Sequence, residues 1–199
     1  KNTPPHVRLC GDYRLVNQYV KVGNYPIPDV IKEIHKAAGF SVFVDLDVRN
    51  AFHEIRLHEE TSAKLSIQTP WGQFQPLFLP EGIAPASGVL MHVMVEIFKD
   101  FSEWTIVIFD NILVLAHSME DAFEKLKLVI QRCYERNVFL KLSKSLFGVR
   151  SVSFFGYIIE ENTYRLSEER AEAINSIPFP SPPNQTKKMQ RFLGSAVYF

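Results

Sequence analysis

Two apolar runs, Trp104 to Phe109 and Ile112 to Ala116, are separated only by Asp110-Asn111. Runs of this length, rich in Ile, Val and Leu, read as strands. The two polar residues between them tolerate the positive φ of a tight turn. The segment therefore predicts a β-hairpin with a two-residue Asp110-Asn111 loop, formed from central strands of a sheet. The rest of the chain must supply its neighbours. Residues 41–48 predict one of them. There Val42, Val44, Leu46 and Val48 alternate with Phe43, Asp45 and Asp47, so the two carboxylates share a face.

Helical and extended patterns alternate around these strands. Tyr25-Pro26-Ile27-Pro28-Asp29 leads into a helix to about Ala38, with Val30, Ile31, Ile34 and Ala38 on one face and Gly39 as its stop. Residues 53–58 continue the strand alternation. Residues 64–68 and 74–79 predict a hairpin around Thr69-Pro70-Trp71-Gly72, and Leu79-Pro80-Glu81-Gly82 predicts a further turn. Helices are predicted from Ala86 to Lys99, from the Ser118 cap to Arg136, and from the Ser167 cap to Ile177. Val138–Leu142 and Val152–Ile159 predict strands. Pro178–Asn184 predicts a linker, and Thr186–Phe199 the start of another helix. Residues 7–10 and 12–17 give a weak strand and turn. Mostly antiparallel strands among helices make an α+β layered domain.

Lys+Arg and Asp+Glu are 22 each, for a net charge of zero. That balance excludes a basic nucleic-acid-coating protein and an acidic disordered tail, but not a local basic groove. No apolar run approaches the roughly 18 residues of a membrane helix, so no membrane partner is expected. The opening Lys1-Asn2-Thr3-Pro4-Pro5 lacks the apolar core of a signal peptide. Cys10 and Cys133 match no zinc or redox spacing. The expected location is intracellular, cytoplasmic or nuclear, with an organelle left open.

Asp47 ends an apolar strand, and Asp110 sits at the tip of an apolar hairpin. Two such carboxylates on adjacent central strands would form a hard-oxygen site for Mg²⁺ or Mn²⁺, which take one or two carboxylates with phosphate oxygens and water. A site of this kind serves phosphoryl transfer. The competing reading of an Asp in a turn is a solvated turn residue. Asp45 reads as a solvated rim residue, with outer-shell charge as the alternative. Trp71 and Phe74 read as local hairpin packing, with stacking on template bases as the alternative. Arg49 reads as an ordinary surface cation that has phosphate contact as its alternative.

A set of motifs then gives a family resemblance. In order they are Val7-Arg8-Leu9-Cys10-Gly11-Asp12-Tyr13-Arg14 with Asn17, Tyr25-Pro26-Ile27-Pro28, Leu46-Asp47 with Phe52-His53-Glu54-Ile55, and Leu79-Pro80-Glu81-Gly82-Ile83. Phe109-Asp110-Asn111-Ile112-Leu113-Val114, Lys141-Leu142-Ser143-Lys144, Phe154-Phe155-Gly156-Tyr157 and Arg191-Phe192-Leu193-Gly194 follow. The chain resembles the reverse transcriptase domain of gypsy-type LTR retrotransposon polyproteins, with a degenerate Tyr-x-Asp-Asp motif.

That resemblance implies a right-hand polymerase fold, with a palm sheet backed by helices. Residues 1–40 would be partial fingers and 41–160 the palm, with fingers strands interleaved at about 58–80. Residues 161–199 would be the start of the thumb or connection, leaving the pattern short at both ends. It implies RNA-directed DNA polymerase activity on an RNA or DNA template-primer with dNTP, using two Mg²⁺ or Mn²⁺ ions at Asp47 and Asp110. Asn111 stands beside them in the catalytic hairpin. Arg8 and Lys1 would hold the triphosphate, Phe52 would exclude a ribose 2′-hydroxyl, and Glu81, Gly82 and Lys144 would lie at the substrate. Phe155, Gly156 and Tyr157 would form the primer grip.

The chain departs from this pattern at the family's tyrosine, which is Ile108, and at its second aspartate, which is Asn111. Glu81 brings a negative charge toward a triphosphate. Ser87 stands where a helix-opening proline is expected. These departures and the short ends motivate a second expectation: a domesticated, catalytically inactive scaffold binding RNA or protein.

Overall fold

In the computed structural model the described residues are 11–23, 25, 28–176, 186–190 and 193. Five helices are α1 (Val30–His35), α2 (Glu59–Lys64), α3 (Ala86–Phe98), α4 (Met119–Glu135) and α5 (Glu168–Asn175). The strands are β1 (Val42–Asp47), β2 (Ile67–Thr69), β3 (Gly72–Phe74), β4 (Thr105–Ile108), β5 (Asn111–Ala116), β6 (Leu146–Val149), β7 (Ser151–Phe154), β8 (Tyr157–Glu160) and β9 (Thr163–Leu166). Residues 186–190 and 193 are helical.

The apolar hairpin takes the place its composition requires. The main sheet runs β4-β5-β1-β6, with each pair antiparallel. Both of its faces are covered. Val42, Val44, Leu46, Ile112 and Val114 pack on Leu90, Met94 and Phe98 of α3 and on Ala122, Val129 and Cys133 of α4. On the other face Phe43, Ile106, Ile108, Leu113 and Leu115 meet Ile34 of α1 and Val152, Phe154, Tyr157 and Ile159 of the β7-β8-β9 sheet. Each fully buried side chain of this size contributes about 1.5–3 kcal/mol. A smaller cluster of Tyr13, Leu65, Leu79, Ile83 and Ala86 holds the β2–β3 hairpin side, and Phe52 and Ile55 touch both it and the main core.

Local chemistry fixes the helix ends. The Asp29 carboxylate accepts from the amides of Ile31 (3.0 Å) and Lys32 (3.4 Å), and the Ser118 hydroxyl accepts from the Asp121 amide at 3.1 Å. Such caps stabilise a helix by about 1 kcal/mol each. Pro85 occupies the N-cap of α3. The helix-opening proline is therefore present at 85, and Ser87 is the second residue of the helix rather than its replacement.

Four local expectations change. The β4–β5 hairpin turns on Phe109-Asp110, one residue earlier than its polarity suggests, because Asn111 already pairs with Ile108 and with Asp47. Residues 53–58 do not extend β1. Asn50 takes a left-handed φ of 50°, Ala51–Glu54 coil into a 3-10 turn, and only Arg56 bridges, to Phe78. Within 138–142 only Leu140 bridges, to Val48, and β6 is the strand that pairs with β1. Residues 152–159 fold as two strands rather than one, turning at Phe155 (φ 48°) and Gly156 (φ 80°). The proline-rich linker expected at Pro178–Asn184 lies outside the described residues.

Candidate nucleotidyl-transfer site

The site grows from the end of the β1–β5 ladder. Asp47 lies opposite Asn111. The ladder then continues one step further, with the Val48 amide donating to the Asp110 carbonyl at 2.7 Å. A third segment closes on the same strand end. The Lys141 amide donates to the Asp47 carbonyl and the Arg49 amide to the Phe139 carbonyl, each at 2.7 Å. The backbone beneath both carboxylates is thus bonded into the sheet.

The turn itself is strained. Phe109 adopts φ 54°, a region that costs a bulky residue on the order of 1–2 kcal/mol. Packing supplies the compensation: the ring is partly buried against both main cores, and the Phe109 amide lies 3.3 Å from Met91 Sδ. The result is a rigid turn that presents Asp110 without a glycine.

An open groove of about 1040 Å³ is lined by Asp47, Arg49, Phe52, Glu81, Asp110 and Lys144 among others. Five residues singled out from the sequence therefore converge there. Lys144 Nζ lies 3.5 Å from Asp47 Oδ2. The Asn111 side-chain amide donates to Asp110 Oδ1 at 3.2 Å, so Asn111 acts on its neighbouring carboxylate. Glu81 is exposed at the groove, and no cation among the described residues pairs with it. Gly82 shapes the turn behind it, with φ 96° and its carbonyl accepting from Asn17 Nδ2 at 2.9 Å. Asn17 Oδ1 also accepts from the Ala84 amide at 2.8 Å, so one side chain ties down the loop that carries Glu81. Phe155, Gly156 and Tyr157 lie in the β7–β8 hairpin, apart from the groove-lining set. Lys1 and Arg8 lie outside the described residues.

Sequence reasoning placed Arg49 on the ordinary surface and passed over Asn50 and Lys141, yet all three line the groove. Trp71 and Phe74 are exposed rather than packed locally. Asp45 is not a solvated rim residue. Strands β5 and β6 flank it, opposite Leu113 and Leu146. Its Oδ1 is buried with no hydrogen-bond partner among the described residues. Burial, reinforced by the charge of Asp47, pushes its carboxyl up from 3.8 to about 6.

Among the described residues no group of three or more His, Cys, Asp or Glu side chains could hold a metal. The carboxylates at the groove that could hold a metal, singly or in pairs, are Asp47 and Asp110 with Glu81. They fit a hard cation that draws its remaining ligands from a phosphate-bearing substrate and water. No helix among the described residues is long and apolar enough to cross a membrane.

The fold and groove define a mixed helix-and-sheet protein with paired acidic residues at the end of a central antiparallel sheet. Comparison with known proteins places that arrangement. Residues 1–159 match the reverse transcriptase (RNA-dependent DNA polymerase) family, and the chain belongs to that family. It is 30% identical over 193 residues to the Transposon Tf2-7 and Tf2-3 polyproteins of Schizosaccharomyces pombe, covering 96% of this chain. The chain spans 14% of the length of those polyproteins. Its fold is similar to that of a foamy viral protease-reverse transcriptase solved in complex with double-stranded DNA. The TM-score is 0.83 at 20% identity, covering 96% of this chain and 33% of that one. The foamy viral enzyme in complex with an RNA/DNA hybrid gives 0.76 at 20% identity, over 92% of this chain and 25% of that one.

Proposed function

We propose that this chain is the polymerase segment of a retroelement reverse transcriptase. It would add deoxynucleotides to a primer 3′ end on an RNA or DNA template. Residues 1–40 would serve as partial fingers, 41–160 as palm and 161–199 as the approach to the thumb. The observation that carries the reading is the meeting of Asp47, at the end of β1, and Asp110, in the adjoining β4–β5 turn, at one open groove. Two divalent ions bound there would lower the pKa of the primer hydroxyl and offset charge on the triphosphate.

The chain's own residues set the geometry. Asp47 and Asp110 would supply the carboxylate oxygens, held by the ladder bonds beneath them. Phe52 is anchored between two cores and lines the groove, so its ring is fixed where bulk would discriminate against a 2′-hydroxyl. Arg49, Lys141 and Lys144 line the same groove and offer charge-assisted bonds to phosphates. Arg8 and Lys1 would join them on the triphosphate.

A second reading, the silent scaffold, is favoured by Glu81 and Asn111. One adds negative charge to the groove, and the other takes it from the ligand set. Primer extension in Mg²⁺ and then Mn²⁺ separates the two readings, using the longest natural chain that contains this segment beside Asp47→Ala and Asn111→Asp. Extension that disappears in Asp47→Ala supports the polymerase. Silence of the parent with recovery in Asn111→Asp means a lost metal site on an intact fold. Silence of all three folded proteins sinks the polymerase reading in favour of the scaffold.

A further inference from the structure

The β7–β8 hairpin carries a feature that the polymerase reading leaves unused. Its turn has two left-handed residues, Phe155 and Gly156, the geometry of a type I′ connection. Both turn carbonyls are taken by the segment that opens α5. Arg170 Nη1 donates to the Phe155 carbonyl at 3.0 Å. The Ser167 amide donates to the Gly156 carbonyl at 2.9 Å. The Arg170 side chain lies across Gly156 so closely that a Cβ there would collide with Arg170 Cδ and Nη1. The Arg170 amide in turn approaches Ser167 Oγ at 3.3 Å. A hairpin tip is ordinarily among the first parts of a protein to open. This one is clamped.

The clamped turn also shares a wall with the catalytic hairpin. Phe155 and Phe109 both pack, partly buried, against the core of Ile106, Ile108, Phe154 and Tyr157. Phe109 is the residue before Asp110. A shift of one turn is therefore felt at the other through a single packed cluster.

We propose that Arg170 is a positioning residue for nucleotidyl transfer. It bolts the Phe155-Gly156 turn to the start of α5 and so fixes a primer end held by that turn relative to Asp110. This rests on the polymerase reading above. The planar guanidinium suits the role because it lies flat across Gly156 while donating to a carbonyl. A lysine can donate but cannot cover the glycine in the same way.

The test uses the longest natural chain containing this segment, with Arg170→Ala and Arg170→Lys. Arg170→Ala lowers kcat for single-nucleotide addition about tenfold and leaves the dNTP KM unchanged, since misplacement of a reacting group acts on the chemical step. Arg170→Lys recovers part of that loss. Amide hydrogen exchange at Ser167 speeds up in Arg170→Ala while the thermal midpoint holds. An unchanged kcat overturns the proposal, and so does a loss that merely follows a fall in the thermal midpoint. A parent chain that extends no primer overturns the polymerase reading instead. In that case unchanged Ser167 exchange in Arg170→Ala would overturn the clamp as well.

Discussion

The molecule contains two tight turns that begin with a phenylalanine at positive φ, Phe109-Asp110 and Phe155-Gly156. Their backbones differ, since only the first residue takes a positive φ at Phe109-Asp110 and both do at Phe155-Gly156. At Phe155 a glycine follows, and Arg170 and Ser167 bind the turn carbonyls. At Phe109-Asp110 only the phenylalanine enters the left-handed region, so an aspartate can stand where the other turn has its glycine. Packing against two cores and Met91 holds the strain instead. A turn that presents chemistry is fixed from below by the core. The Phe155-Gly156 turn is fixed by one core and, in addition, from outside by the start of α5.

The largest effect expected on this contrast is functional. Asp110→Ala should reduce primer extension by about 10²-fold or more, because a charge-stabilising group is removed from the reacting centre. Its thermal midpoint should stay near the parent's, and a collapse of the fold would refute the separation of chemistry from scaffold. Phe109→Ala should cost about 2 kcal/mol in urea unfolding, since a ring shared by two cores is lost. Phe155→Ala should cost less, because the external clamp remains. Equal losses would remove the distinction between the two turns. Gly156→Ala should cost about 1–3 kcal/mol, from left-handed strain together with the clash against Arg170.

A smaller effect concerns the strand beside the catalytic turn. The Asp45 carboxyl titrates at about 6 in the fold against an ordinary value of 3.8. Its neutral form is favoured in the folded state, so the contribution to stability is fully present below about 3.8 and fades as pH rises through about 6. In a chelator-treated, metal-free protein the parent should lose about 1 kcal/mol across that window, after allowance for solvent screening, relative to Asp45→Asn. Parallel melting curves at pH 4 and 7 for the two proteins would refute the burial effect. The smallest expected effect is at the surface. Glu124→Gln breaks the exposed Lys127–Glu124 pair and should change stability by less than about 0.5 kcal/mol.

The central sheet was legible because its strands are short, apolar and bounded by polar residues, and because Asp45 and Asp47 fall on one side of the alternation. The register of the turn that carries Asp110 was not. Residue preference alone puts positive φ on Asp or Asn, and it falls on Phe109, whose ring packs against two cores and whose amide meets Met91 Sδ. The second strand beside β1 was not legible either, since Val138–Leu142 looks more like a strand than Leu146–Val149 does. With β6 unread, nothing in the sequence placed Asp45 between two strands. Arg49 and Lys141 at the groove follow from bonds between positions about ninety residues apart, which no local pattern encodes.

The bonds under the two carboxylates carry a genetic consequence. Asp47 and Asp110 contribute to the sheet through their carbonyls, which every amino acid possesses. Aspartate and asparagine codons are one base apart. If these carboxylates act as proposed, a single base change at this sheet end would silence or restore the chemistry while leaving the backbone bonds in place. Asn111 already stands one such step from an aspartate.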